Sequence, residues 1–275
     1  MSSNNFKIKF FIILLMLVAL VMVGYFYSQQ FKSSEVVFFN VGQGDSIFIR
    51  TADNYKILID GGPDKTVLFK LAEQLPFYDR QLDLVILTHP HADHVTGLVE
   101  VLKRHTVKQV ALVGSVDTAP AYLAFLKIIQ TKNIPVLKVF KGQEVILGTA
   151  SLKFLSPPAN SAEVKGGDLN DASAVFKLSF KGQDFLLMGD AGLKVEEQLL
   201  KDFTAADLKS TVIKIGHHGS DYSSGADFLA AVQPQTAVIS VGKNSYGHPS
   251  PRLLKRLERL KVTILRTDQD GDIVF

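Results

Sequence analysis

The chain has 275 residues, 47% of them hydrophobic, which suits one large domain or two small ones around a substantial core. It holds no cysteine, so disulfides and thiolate metal ligands are excluded and only His, Asp or Glu remain to bind a cation. The net charge of +3 comes from Lys7, Lys9 and Lys32, all ahead of the first acidic residue, Glu35; the rest of the chain is formally neutral and lacks the basic excess usual in a nucleic-acid binder.

Residues Phe10 to Tyr27 form an uncharged run of 18. As a helix this run is about 27 Å long, close to the hydrocarbon thickness of a bilayer. Lys7 and Lys9 precede it, so the positive-inside rule places residues 1–9 in the cytoplasm and the rest outside. A cleaved signal peptide is the alternative, but Val21 to Ser28 offers no Ala-x-Ala pattern for cutting. The sequence therefore favours a single-pass anchor over 10–27, a polar linker over 28–34 and one α/β domain over 35–275.

Within that domain, Val36 to Val41, Ser46 to Arg50 and Lys56 to Asp60 are expected strands, the first two joined by a tight turn at Gly42 to Asp45. Val67 to Gln74 has helical spacing. Leu82 to Thr88 is apolar apart from Asp83 and reads as a central strand. A helix over Val95 to Arg104, a strand over Val110 to Val113 and a helix over Ala121 to Gln130 follow. Strands are expected at Val136 to Phe140, Glu144 to Leu147 and Leu152 to Leu155, then a Pro- and Gly-rich loop over Ser156 to Asp168. Ala174 to Phe180 and Asp184 to Met188 read as a hairpin, Val195 to Leu200 as a helix and Thr211 to Ile215 as a strand. A helix over Phe228 to Val232, a strand over Thr236 to Val241, a helix over Pro251 to Leu260 and a strand over Val262 to Leu265 complete the chain. Two halves, each with strands first and helices afterwards, fit two sheets between helices better than a doubly wound sheet.

His89, His91, Asp93 and His94 lie within six residues, after a buried strand and at the start of a helix. Alternation turns His89 and His91 to one side, and the helix start turns Asp93 and His94 toward a second point. The run can thus serve two cations a few ångströms apart, and imidazole with carboxylate suits zinc, manganese or iron. Such a pair can activate a shared water and clamp a substrate oxygen.

The run Thr88 to His94 resembles the hallmark of the metallo-β-lactamase superfamily. Phe39-Asn40-Val41-Gly42-Gln43-Gly44-Asp45-Ser46, Leu58 to Gly62, Asn170 to Ser173, Leu187 to Asp190, Lys214 to Ser220 and Tyr246 to Pro249 follow the order found in the extracellular C-terminal domain of ComEC-type competence proteins. The resemblance covers nearly all of Val36 to Phe275 and implies an αββα sandwich. It implies two divalent ions, zinc or manganese, on His89, His91, Asp93, His94, Asp190 and His217 or His218, with Asp190 bridging. Alternation from Ile213 and Ile215 favours His217 of the pair. The resemblance further implies that Asp60 orients a ligand, that Asp93 and His248 serve the chemistry, and that Ser220 contacts substrate. Many superfamily members place another His before the bridging Asp; here Asn170, Asp171 and Ser173 stand in that region, so the first site is expected to be the weaker.

The expected reaction is hydrolysis by a metal-activated water. A ComEC-like nuclease or phosphodiesterase outside the membrane comes first, with DNA as a candidate substrate. A small phosphoester, such as a phosphocholine-type or lipid head-group ester, comes second, and a non-catalytic DNA- or protein-binding domain third. β-Lactam hydrolysis has little support, since fold alone does not set substrate. A single anchor helix stands where ComEC carries a DNA channel, so DNA uptake does not carry over.

Overall fold

The structure is a computed structural model that describes residues 2–30, 34–115, 117–159 and 168–275, so most of the expected 156–168 loop and part of the linker lie outside the described residues. It comprises two compact units, Met1–Ser34 and Glu35–Phe275.

The first unit is a helix, α1 (Ser2–Gln30). It begins well before Phe10 because residues 2–9 contain no Gly or Pro to stop it. Phe6–Tyr25 has a mean hydropathy of 2.6 and is long and apolar enough to cross a membrane. Its apolar residues face all directions, as suits a span rather than a surface helix.

In the second unit, β1 (Glu35–Phe38), β2 (Ile47–Arg50), β3 (Lys56–Ile59), β5 (Leu84–Leu87), β7 (Val110–Leu112), β8 (Val136–Lys138) and β16 (Ile273–Val274) form one seven-stranded sheet, in the order β16-β1-β2-β3-β5-β7-β8. A second sheet has the order β15-β14-β13-β12-β11-β10-β9, built from β9 (Glu144–Leu147), β10 (Ala150–Ser156), β11 (Val175–Phe180), β12 (Gln183–Leu187), β13 (Val212–Lys214), β14 (Thr236–Ile239) and β15 (Thr263–Arg266). The short pair β4 (Gln81–Leu82) and β6 (Thr106–Val107) lies apart from both.

The strands read as continuous apolar runs because both faces are buried. Ile57 and Ile59 of β3 point between the sheets, against Phe154, Phe176 and Phe185. Leu58 points outward, into the layer of α2 (Thr66–Gln74), α3 (Ala92–Arg104) and α4 (Pro120–Thr131). The outer face of the second sheet is covered by α5 (Leu193–Asp202), α7 (Ala226–Val232) and α8 (Pro251–Arg259). This is the expected αββα order.

The division into two sequential halves needs one correction. The C-terminal strand β16 crosses back to pair with β1, and Phe275 exchanges backbone hydrogen bonds with Val36. Phe275 also packs edge-on against Phe38 and Phe185, at ring distances of 5.9 and 5.3 Å. Four-residue α6 (Ala205–Leu208) and α9 (Thr267–Asp270) were also unforeseen, being too short for a helical period to show.

Candidate metal centre

The ends of β3, β5, β12 and β13 and the start of α3 carry the polar residues of one site. Asp60 follows β3 in a left-handed backbone conformation, with φ 56°. Its buried carboxylate accepts hydrogen bonds from the Thr88 amide at 2.8 Å and the Thr88 hydroxyl at 2.7 Å, and meets Nδ1 of His94 at 2.8 Å. Asp60 thereby fixes the ring of His94. The other ring nitrogen, Nε2, lies 3.4 Å from Oδ2 of Asp190 and makes no hydrogen bond.

His91 occupies the N-cap position of α3 and makes no side-chain capping bond. Nε2 of His89 lies 3.1 Å from Nδ1 of His91 and 3.8 Å from Oδ2 of Asp190. Nδ1 of His218 meets the Ser240 carbonyl at 2.9 Å, while its Nε2 lies 3.1 Å from Asp93 and 3.3 Å from Asp190. Ligand atoms of Asp93, His94, Asp190 and His218 all fall within 4.8 Å of one another.

The electrostatics follow from this crowding. Burial alone would raise the Asp190 pKa, but His218 and His94 hold it well below the carboxylate range. Burial likewise opposes charge on His94 and His218, yet Asp190 raises both well above the usual imidazole value. His89 is driven well below it, by burial first and by His94 second. A neutral imidazole is the ligating form.

The donor set fits divalent cations: it is all imidazole and carboxylate. Nε2 of His94 and Oδ1 of Asp190 are also buried without a hydrogen-bond partner, a costly condition that a cation would relieve. Asp93, His94, Asp190 and His218 form one group and Asp45, Asp60 and His94 another, while His89 lies between Asp190 and His91.

The structure brings His218, not His217, into the first group. Both residues take left-handed backbone angles, with φ 49° and 51°, and this breaks the two-residue alternation that favoured His217. The His217 ring stands 6.3 Å from His218 and 5.5 Å from His248. Burial lowers the pKa of both His217 and His248.

Ser173 is buried, and its hydroxyl accepts a hydrogen bond from the Asp190 amide at 3.2 Å. Asn170 has a buried, unpartnered Oδ1. The Asp171 carboxylate instead pairs with Lys194 at 2.7 Å. Ser220 is buried in its turn, where its hydroxyl accepts from the Tyr222 amide at 3.3 Å. Asp168, Asn170, Asp190, His217 and Tyr222 line a cleft of about 290 Å³.

Two residues had no role in the sequence reading. Lys214, fully buried at the end of β13, pairs with buried Asp45, donates to the Gly189 carbonyl at 2.8 Å and lies 3.9 Å from Oδ1 of Asp190. Burial would raise the Asp45 pKa, but Lys214 and the neighbouring imidazoles bring it below the usual value. A single charge inside the apolar run Thr211 to Ile215 was the available signal.

The sequence model of the metallo-beta-lactamase superfamily matches residues 39–243. The chain belongs to that superfamily. Within it, the chain is 32% identical over 262 residues to ComE operon protein 3 of Bacillus subtilis, which covers 89% of this chain and 33% of that protein. It is 29% identical over 246 residues to competence protein ComA of Neisseria gonorrhoeae, covering 89% of this chain and 32% of that protein. The chain thus spans about a third of the length of these relatives. Among solved structures, the metallo-beta-lactamase fold protein YhfI of Bacillus subtilis superposes with a TM-score of 0.60 at 14% identity, over 89% of this chain and 99% of that one. The diiron β-hydroxylase CmlA of Streptomyces venezuelae gives 0.58 at 15%, over 89% of this chain and 54% of that one. At these identities the likeness is one of fold. This superfamily member therefore has a metallo-hydrolase fold with candidate metal-binding residues, competence-protein relatives and a candidate membrane helix.

Proposed function

We propose that this chain is a metal-dependent phosphodiesterase acting on nucleic acid outside the membrane, with residues 10–27 as its anchor, 28–34 as a linker and 35–275 as its catalytic domain. The observation that carries the reading is Asp190: Oδ2 lies within 4 Å of His89, His94 and His218, while Oδ1 is buried without a hydrogen-bond partner. One carboxylate so placed can serve two cations. We assign Asp93, His94, Asp190 and His218 to one cation, and His89, His91 and Asp190 to the other, with Asn170 beside it. Bound zinc or manganese would activate water and neutralise charge gathering on phosphoryl oxygens.

The chain's own residues do the rest. Asp60 holds His94 in one tautomer and orientation, as outer carboxylates do for metal-binding histidines. Ser173 fixes the backbone of Asp190. Lys214 offsets the negative charge of Asp45 and Asp190. His217 and His248 stand beside the cluster, where a substrate phosphate or its leaving group would lie; burial lowers the pKa of both imidazoles, and each is a candidate to exchange a proton there.

The test is a panel of single-stranded DNA, duplex DNA, RNA, bis(p-nitrophenyl) phosphate and nitrocefin with added Mn²⁺ or Zn²⁺. Phosphodiester turnover that stops with chelator is expected. Turnover of nitrocefin with no phosphodiester cleaved would reverse the assignment.

A further inference from the structure

We propose that Tyr246 is a stacking platform for an unpaired nucleobase, which makes single-stranded nucleic acid the substrate class; this rests on the phosphodiesterase reading above. Tyr246 is 74% exposed. A lone exposed aromatic side chain is ordinary, but three further features set this one apart.

The first is rigidity. The loop from Gly242 to His248 is stapled by one side chain: Nδ2 of Asn244 donates to the Gly242 carbonyl at 2.9 Å and the His248 carbonyl at 2.8 Å. Its Oδ1 accepts from the amides of Tyr246 and His248, both at 3.1 Å. An aromatic on a fixed loop loses little entropy when a flat ligand covers it. The second is stacking. The Tyr246 ring lies over His248 at 5.9 Å with 28° between planes, so one face is backed and the other is open to solvent.

The third is direction. His248 stands 5.5 Å from His217, which in turn is 6.3 Å from His218 in the metal cluster. Ring neighbours ring from His218 in the candidate cluster through His217 and His248 to exposed Tyr246. A phosphodiester at the cluster would carry its neighbouring nucleotide along this row. Lys243, exposed on the same loop, offers a cation to the backbone. On the cleft side, Tyr222 is 77% exposed and offers a second aromatic surface. Bases in a duplex are already stacked and paired, so an exposed ring reaches only a base that is free.

Base–aromatic stacking is worth roughly 10-fold or more in affinity per base. The full chain in detergent with Mn²⁺ should show a KM about 10-fold lower for a 12-nucleotide oligo(dT) than for the same backbone made abasic. Tyr246→Ala should abolish that preference, with the loss falling on KM, and Tyr246→Phe should restore it. The chain has no tryptophan, so Tyr246→Trp introduces a unique fluorophore that oligo(dT) should quench and the abasic strand should not. Absence of quenching, quenching by intact duplex as strong as by single strand, or a base preference that survives Tyr246→Ala would overturn the proposal. If no phosphodiester is turned over at all, the phosphodiesterase reading fails, and the quenching measurement alone then decides whether the stacking platform exists.

Discussion

Asp190 and Asp171 are both carboxylates near the cleft, yet their surroundings assign them different work. Asp190 is buried among three imidazoles, whereas Asp171 is turned toward Lys194, a partner that is 80% exposed. Asp190→Ala should lower occupancy of both cation sites, with activity falling 100-fold or more on the general scale of about 3 kcal/mol for a lost electrostatic element. Asp171→Ala should leave metal binding close to wild type, since a surface ion pair contributes only about 0–1 kcal/mol. Metal titration by calorimetry separates the two. An equal loss in both variants would mean that Asp171 enters the first coordination shell. Lys214 raises a second question at this scale, because a buried charge is costly unless paired. Lys214→Met keeps the volume but strips Asp45 of its ammonium partner, and should destabilise the fold by roughly 3 kcal/mol or more. Urea unfolding that shows a neutral or stabilised variant would mean that the pair is dispensable to the fold. The His89 to His94 run was legible because its residues are local. The Asp45–Lys214 pair was not, because Asp45 lies in the loop before β2 and Lys214 at the end of β13, and they meet only in the folded chain. The choice between His217 and His218 turned on two left-handed residues, which a strand pattern does not encode.

At the scale of elements, α3 is seated by backbone contact rather than by its cap. The Gly61 amide donates to the His94 carbonyl at 2.8 Å, and the Gly97 amide donates to the Gly62 carbonyl at 3.0 Å. This approach requires bare backbone on both sides: a Cβ on Gly97 would lie 1.8 Å from the Gly61 carbonyl oxygen, and one on Gly61 would lie 2.4 Å from the Leu98 amide. Nothing in the sequence alone marks these three glycines as points of contact between α3 and the end of β3. Their real task is to let a helix start lie against a strand end, bringing Asp93 and His94 toward Asp190. Gly97→Ala gains helix propensity of about 1 kcal/mol, but the clash with rigid backbone should exceed it, for a net loss of ~1–3 kcal/mol. Because α3 must shift, metal affinity should fall as well. Thermal unfolding and metal titration on the same variant check both; a stabilised variant with intact metal binding would show that α3 is not clamped there. Element identity was mostly legible, since burial on both faces gives the strands dense apolar runs. β16 was not, because Ile273-Val274-Phe275 is too short to show a period and its partner β1 is at the far end of the domain.

Within the domain, strand direction separates the point where the chain enters from the candidate metal centre. Glu35, where the domain begins, pairs with Arg50 and lies at the Lys56 end of its sheet. Asp60 and His89 follow the opposite ends of β3 and β5, which run parallel. The chain therefore enters the domain a full strand length from the metal centre. A nucleic acid in the aqueous phase is the proposed substrate, and a lipid head-group ester is the alternative that a test on whole cells separates from it. The proposal that the domain lies outside the membrane predicts that intact protoplasts hydrolyse added single-stranded oligonucleotide without lysis, while phosphodiesters of their own lipid head groups remain uncleaved. Protease added outside should remove that activity. Activity that appears only on lysis and resists external protease would put the domain in the cytoplasm. Head-group release at a rate matching the oligonucleotide would make a lipid ester the better substrate.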